Sequence, residues 1–211
     1  MRTPRRVLVE CAVEGATDEA VVRRLVHEAG AEVDAIYGGN GKPHLLRRLR
    51  AYNNAARRFP WVAVVDLDND ESCAPPAARK WLPHPSARMV FAIAVRQVEA
   101  WLLADAESLA SFLRVARSSV PRRPEDEEDA KRALVNLARH SRSRNIRADM
   151  VPRPYSGRAV GPAYVSRLIE FVGRAWCPDS AADRAASLMR TRRKLAELVR
   201  FARDDRNPAE S

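Results

Sequence analysis

Cysteine is scarce in this chain. Its 211 residues hold three, Cys11, Cys73 and Cys177, an odd number without a CxxC spacing. That argues against a disulfide framework or a structural zinc site and leaves packing as the expected role of the thiols. Long apolar runs are missing too. The longest, Met89 to Val95, has seven residues, against the roughly 18 or more that cross a bilayer, so no membrane partner is expected. The basic start Met1-Arg-Thr-Pro-Arg-Arg6 leads into an apolar stretch broken by Glu10 and Glu14. This is not a signal-peptide pattern, and the expected location is cytoplasmic. Lysine is rare, 4 of the 37 basic residues, the other 33 being arginine. His27, His44, His84 and His140 show no ligand or catalytic spacing and read as surface or capping residues.

What is present suits one ordinary soluble domain with room for a small appendage: 46% of residues are apolar and 30% charged. The formal charge is +10, and arginine is the residue suited to bidentate contacts with phosphate. A polyanion partner is one reading of that basicity. Codon drift in a GC-rich genome, which also enriches alanine, is the other.

Four nearly continuous apolar runs read as strands: Val7 to Val13, Ala31 to Tyr37, Trp61 to Asp66 and Met89 to Val95. Helical patterns separate them, first a helix capped by Gly15-Ala-Thr17 and closed by Gly30, then one from Pro43 to Arg58 behind Gly38-Gly-Asn-Gly41. Buried strands alternating with helices make a parallel sheet covered on both faces. The expected fold is therefore α/β, with an α/β domain over residues 1–115 and a helical C-terminal extension over residues 116–211 packed on it. Beyond the sheet the pattern gives helices from Gln97 to Arg114, Glu125 to His140, Pro162 to Trp176 and Ala181 to about Arg203. Between the second and third of these lies a loop rich in arginine: Arg142, Arg144, Arg147, Arg153 and Arg158. The acidic run Glu125 to Asp129 reads as a helix opening favourable to the helix dipole.

Right-handed crossovers put every strand's carboxyl end on one edge, where ligands bind in open α/β folds. Acids gather there in this sequence: Glu14 after the first strand, Asp66 and Asp68 closing the third, Asp70 just beyond, and Glu99 after the fourth. In extended backbone Asp66 and Asp68 point the same way. Clustered carboxylates repel one another unless a cation lies between them, and hard oxygen donors of this kind select Mg²⁺ or Mn²⁺. Taken singly, each of these acids also reads as a helix cap or a solvated loop charge.

The runs Val13-Glu-Gly-Ala-Thr-Asp-Glu19, Gly41-Lys42 after the Gly-rich turn, and Val64-Val-Asp-Leu-Asp-Asn-Asp70 together resemble the TOPRIM domain of topoisomerases, bacterial primases and the OLD (overcoming lysogenization defect) nucleases of phage defence. Val98-Glu-Ala-Trp-Leu-Leu-Ala-Asp105 and Gly161-Pro-Ala-Tyr-Val-Ser-Arg-Leu-Ile-Glu-Phe171 further resemble a short stand-alone TOPRIM-like family of unassigned function. The resemblance implies that Glu14 is a general acid/base or metal ligand, that Asp66 and Asp68 hold Mg²⁺, and that Asp70 is a further ligand. It implies too that Lys42 steadies a phosphate or the leaving oxygen, its bland counterpart being a solvated loop lysine. Glu99 would complete a second metal position or cap the helix carrying Trp101. Asn-Asp follows Asp68, without the Gly-containing continuation of topoisomerases, primases and small ribosomal-RNA maturases. A topoisomerase would also need gate domains and a nucleophilic tyrosine. No P-loop is present, since Pro43 follows Gly41-Lys42 and Ile36 stands where the first glycine belongs. The ATPase that OLD proteins carry would therefore be a separate partner.

These features lead to the expectation of a Mg²⁺- or Mn²⁺-dependent phosphodiester hydrolase acting on DNA or RNA. Arg47, Arg48, Arg57, Arg58, Arg190, Arg192 and Arg193 would hold the nucleic-acid backbone; the alternative for each is the solvated face of an amphipathic helix. Two other readings stand beside this one. The first is a non-catalytic TOPRIM-like binding or regulatory module. The second is a haloacid-dehalogenase-like phosphatase with Asp66 as nucleophile, although that pattern expects Thr or Val where Asp70 stands. Glu10 fits badly, because a central strand would bury it on the face that carries Glu14.

Overall fold

The four apolar runs form the strands β1 (Val7–Val13), β2 (Ala31–Gly38), β3 (Trp61–Asp66) and β4 (Met89–Ala94), joined by the helices α1 (Ala16–Glu28), α2 (Lys42–Ala55) and α3 (Ala74–Trp81). The computed structural model describes residues 6–71 and 73–205, so the basic start up to residue 5 lies outside it. The sheet is all-parallel with strand order β2-β1-β3-β4, and the fold is α/β. The chain winds from β1 outward to β2, then returns to place β3 on the other side of β1. The topological switch point therefore falls between β1 and β3, where open parallel sheets bind ligands beyond their carboxyl ends.

The molecule divides into two compact units, Met1–Ile93 with Arg190–Ser211, and Ala94–Met189. In the first, α2 presents Leu45, Leu49 and Tyr52 to Ala63 and Val65 of β3 and to Phe91 and Ile93 of β4. Each such apolar side chain contributes about 1.5–3 kcal/mol by leaving water. The helix α1 lies on β1 and β2 and buries Val21, Val22, Leu25 and Val26. The C-terminal helix α10 (Ala186–Asp204) reaches α1 through Arg192 of its second turn and Glu28, 3.8 Å apart, and the turn after α1 through Arg203 Nη2 of its last turn, which donates to Gly30 O at 2.7 Å.

Within the expected Gly15-Ala-Thr17 run the cap of α1 is its first residue. Gly15 is the N-cap, because the Asp18 carboxylate reaches back to accept the Gly15 N–H at 2.8 Å. Gly30, at φ 77°, closes the helix as its position in the sequence suggests. Glu10 is half-buried on the central strand β1, at a register shift between Val9 and Cys11, and faces Asp34 rather than an arginine.

The second unit is helical: α4 (Val98–Ala104), α5 (Ala106–Leu113), α6 (Ala130–Arg139), α7 (Arg144–Met150), α8 (Tyr164–Arg174) and α9 (Pro178–Ala182). Three expectations are corrected here. The helix read from Gln97 to Arg114 breaks at Asp105, whose carboxylate caps α5 at Ser108 N and accepts Cys177 N–H at 2.7 Å. The helix read from Glu125 begins only at Ala130, since Glu125 instead accepts the Ala186 and Ser187 N–H groups at 3.0 and 2.9 Å. The arginine-rich loop contains α7, started by Ser143, whose side chain accepts from Ile146 N. Among the described residues no helix is long and apolar enough to cross a membrane.

Candidate active site at the β1–β3 edge

Strand β1 ends at Val13 and β3 at Asp66, and their neighbouring carboxyl ends bring two acids together. Glu14 Oε1 accepts the Asp66 backbone N–H at 2.8 Å. The Gly-rich turn folds onto the same strand end: Gly39 N–H donates to Val13 O and Gly41 N–H to Glu14 O, both at 3.1 Å. Gly38 is required there. Its φ is 111°, and a Cβ at this position would stand 2.0 Å from Val13 O. The turn delivers Lys42 as the first residue of α2.

Lys42 is the centre of the constellation. Its Nζ lies 3.1 Å from Asp68 Oδ2 and 2.6 Å from Asp70 Oδ2, and donates to Leu67 O at 3.2 Å. Beneath it the Trp81 ring centroid is 5.0 Å away, a cation–π contact. The Lys42 side chain is only 11% exposed. Burial opposes its charge, but the hydrogen bonds it donates to Asp70 and Asp68 prevail and hold its pKa above that of an ordinary lysine. Glu14 moves up as well, because burial disfavours its charge and Asp68 and Asp70 repel it. The Asp66 N–H and Lys42 oppose that shift without cancelling it.

Asp68 does not continue the extended backbone of β3. It takes φ 49°, a left-handed conformation that Asp tolerates better than most residues, and Asp70 N–H closes the turn on Leu67 O at 3.3 Å. The parallel pointing of Asp66 and Asp68 expected from strand geometry is thereby replaced by a turn that aims Asp68 and Asp70 at Lys42. Among the described residues no group of three or more His, Cys, Asp or Glu side chains is arranged to hold a metal ion. The oxygen donors are of the hard kind that suits Mg²⁺ or Mn²⁺, and two of them, Asp68 and Asp70, are paired with the Lys42 ammonium.

Glu99 belongs to the second unit, 5% exposed on α4. Tyr164 OH donates to Glu99 Oε1 at 3.4 Å, and Lys131 Nζ is 3.7 Å away. Burial, with the Glu99 charge beside it, pushes the Tyr164 hydroxyl pKa up. Among the arginines, Arg47, Arg48, Arg57, Arg58 and Arg190 are exposed on the first unit, whereas Arg192 and Arg193 lie 3.8 Å from Glu28 and Glu197. Trp81 had no signal in the sequence, since only the tertiary fold puts it under Lys42. Compared with known proteins, the chain matches no family model, no curated protein and no solved structure.

Proposed function

We propose that the β1–β3 edge is a divalent-cation-dependent phosphodiester hydrolase site. One observation carries the reading: Glu14 and the Asp66 backbone, far apart in the chain, meet at the switch point of a parallel sheet, where the Asp66 N–H donates to Glu14 Oε1 at 2.8 Å. Asp66, Asp68 and Glu14 would hold Mg²⁺ or Mn²⁺, with Asp70 as a further ligand. When bound, such a cation supplies Lewis acidity for activating water and for stabilising charge on a leaving 3′ oxygen. Glu14, whose proton affinity is raised by burial, suits the role of general base toward an attacking water. Lys42 keeps its charge at neutral pH and can steady a non-bridging phosphate oxygen. Arg47, Arg48, Arg57, Arg58 and Arg190 offer contacts to a nucleic-acid backbone, DNA or RNA, without reading sequence.

The test is cleavage of plasmid DNA and of single-stranded RNA with Mg²⁺ or Mn²⁺, comparing wild type with Glu14→Ala and Asp68→Ala. Metal-dependent cleavage lowered at least about 100-fold in both variants supports the reading. Cleavage unaffected by either change, or absent from the wild type, contradicts it. A second reading, a non-catalytic binding or regulatory module, is favoured by one specific observation: the Lys42 ammonium already neutralises Asp68 and Asp70. On that reading the protein ignores Mn²⁺ altogether.

A further inference from the structure

The second unit carries arginines that the acidic edge does not use. After α5 ends at Leu113, Arg114 sits at φ 56° and ψ 47°, a left-handed conformation in which glycine is the usual occupant because a Cβ is crowded. Backbone bonds close this turn, Val115 N–H to Ala110 O at 3.0 Å and Arg114 N–H to Ser111 O at 3.1 Å. Arg142 N–H donates to Arg114 O at 3.1 Å and so fixes the two arginines side by side. Two of the helix-end carbonyls, Ala110 O and Ser111 O, are thereby satisfied by backbone. Both guanidinium groups are exposed and have no hydrogen-bonding or ionic partner among the described residues.

The two arginines line a cavity of about 540 Å³ with Ala110, Ser111, Val115 and Ala116, and no acid is among its walls. An adjacent cavity of about 340 Å³ shares Arg114. Its second arginine, Arg167, is already bonded to Asp149 at 2.8 Å and to Glu170 at 2.7 Å, so that space offers no free positive charge beyond Arg114. Both arginines line the same space, and guanidinium forks match phosphate oxygens. The larger cavity exceeds what a bare phosphate needs and falls in the size range of small-molecule sites.

We propose that this cavity binds a small organic phosphate ester of the size of a nucleoside monophosphate. The phosphate is clamped by Arg114 and Arg142, the Ser111 hydroxyl is available as a further donor, and the organic part lies against Ala110, Val115 and Ala116. Calorimetric titration of the full chain with adenosine monophosphate, inorganic phosphate and a short single-stranded oligonucleotide tests it, on wild type, Arg114→Gly and Arg142→Ala. Glycine suits the left-handed position, so Arg114→Gly removes the charge without unfolding the turn, and its Tm should be no lower than that of the wild type. The expected result is saturable binding of the monophosphate, tighter than inorganic phosphate and weakened about tenfold or more in each variant. Absence of saturable binding, binding unchanged in both variants, inorganic phosphate binding as tightly as the ester, or binding of the oligonucleotide alone would each overturn the proposal. The titration reads no cleavage, so its result is separate from that of the acidic edge.

Discussion

Lys42 shows how one side chain can organise a site. Two carboxylates, a carbonyl and an aromatic face converge on its ammonium, and removing it leaves Asp68 and Asp70 repelling each other beside a half-buried Glu14. Lys42→Ala should lower stability by about 1 kcal/mol, a discounted figure because both aspartates are well exposed, and a shifted urea midpoint at unchanged slope would register it. Glu10 makes the opposite case. Burial raises its pKa above the ordinary glutamate value, and the neighbouring Asp34 charge adds to the shift. A raised folded-state pKa means the stabilisation is present below the unfolded pKa and fades as the pH climbs through the folded one. Glu10→Gln should therefore raise stability by about 0.5 kcal/mol near neutral pH and leave it unchanged near pH 3.5, where both states already carry the proton. Thermal melts at the two pH values check the sign. Cys11 is buried and its pKa is pushed up to about 12, whereas Cys73 is exposed. A thiol reagent at mildly alkaline pH should label Cys73 in the native protein and Cys11 only after unfolding.

At the scale of elements, β3 and β4 were legible because each is a short, nearly continuous apolar run bounded by turn residues, as in a sheet covered on both faces, whereas the edge strand β2 interleaves Glu32 and Asp34 and is only partly buried. Two of the strands have the limits the sequence suggests, Val7–Val13 and Trp61–Asp66. The helices were less legible, since a periodic pattern does not say where a side chain will find a distant partner. Asp105 breaks one helix because Cys177 N–H takes part of its carboxylate, and Glu125 serves the start of α10 instead of its own helix. The same limit applies at the site. That Glu14 and Asp66 share an edge follows from parallel topology. The turn at Asp68 and the position of Trp81 do not, because a left-handed aspartate and a long-range ring contact leave no local trace. Gly38 is the element-scale hinge of the arrangement: Gly38→Ala would force a Cβ to 2.0 Å from Val13 O. It should cost about 2–4 kcal/mol and disturb the turn carrying Lys42, seen as lost amide protection at the ends of β1 and β2.

The whole molecule carries a formal charge of +10, and its exposed arginines are spread over both units. If they meet a nucleic-acid backbone, the affinity for a duplex oligonucleotide should fall at least about tenfold between 50 and 200 mM salt, in log-linear fashion, as counterions are released. A flat salt response would return the basicity to codon drift. The acid-lined edge between β1 and β3 is decided most directly by calorimetric titration of the 211-residue chain with Mn²⁺, alongside Asp66→Ala. Saturable binding by the wild type that is lost or markedly weakened in the variant is the outcome expected of a cation site. No binding, or binding indifferent to Asp66, would contradict it and leave the Lys42 ammonium as the charge that these carboxylates serve.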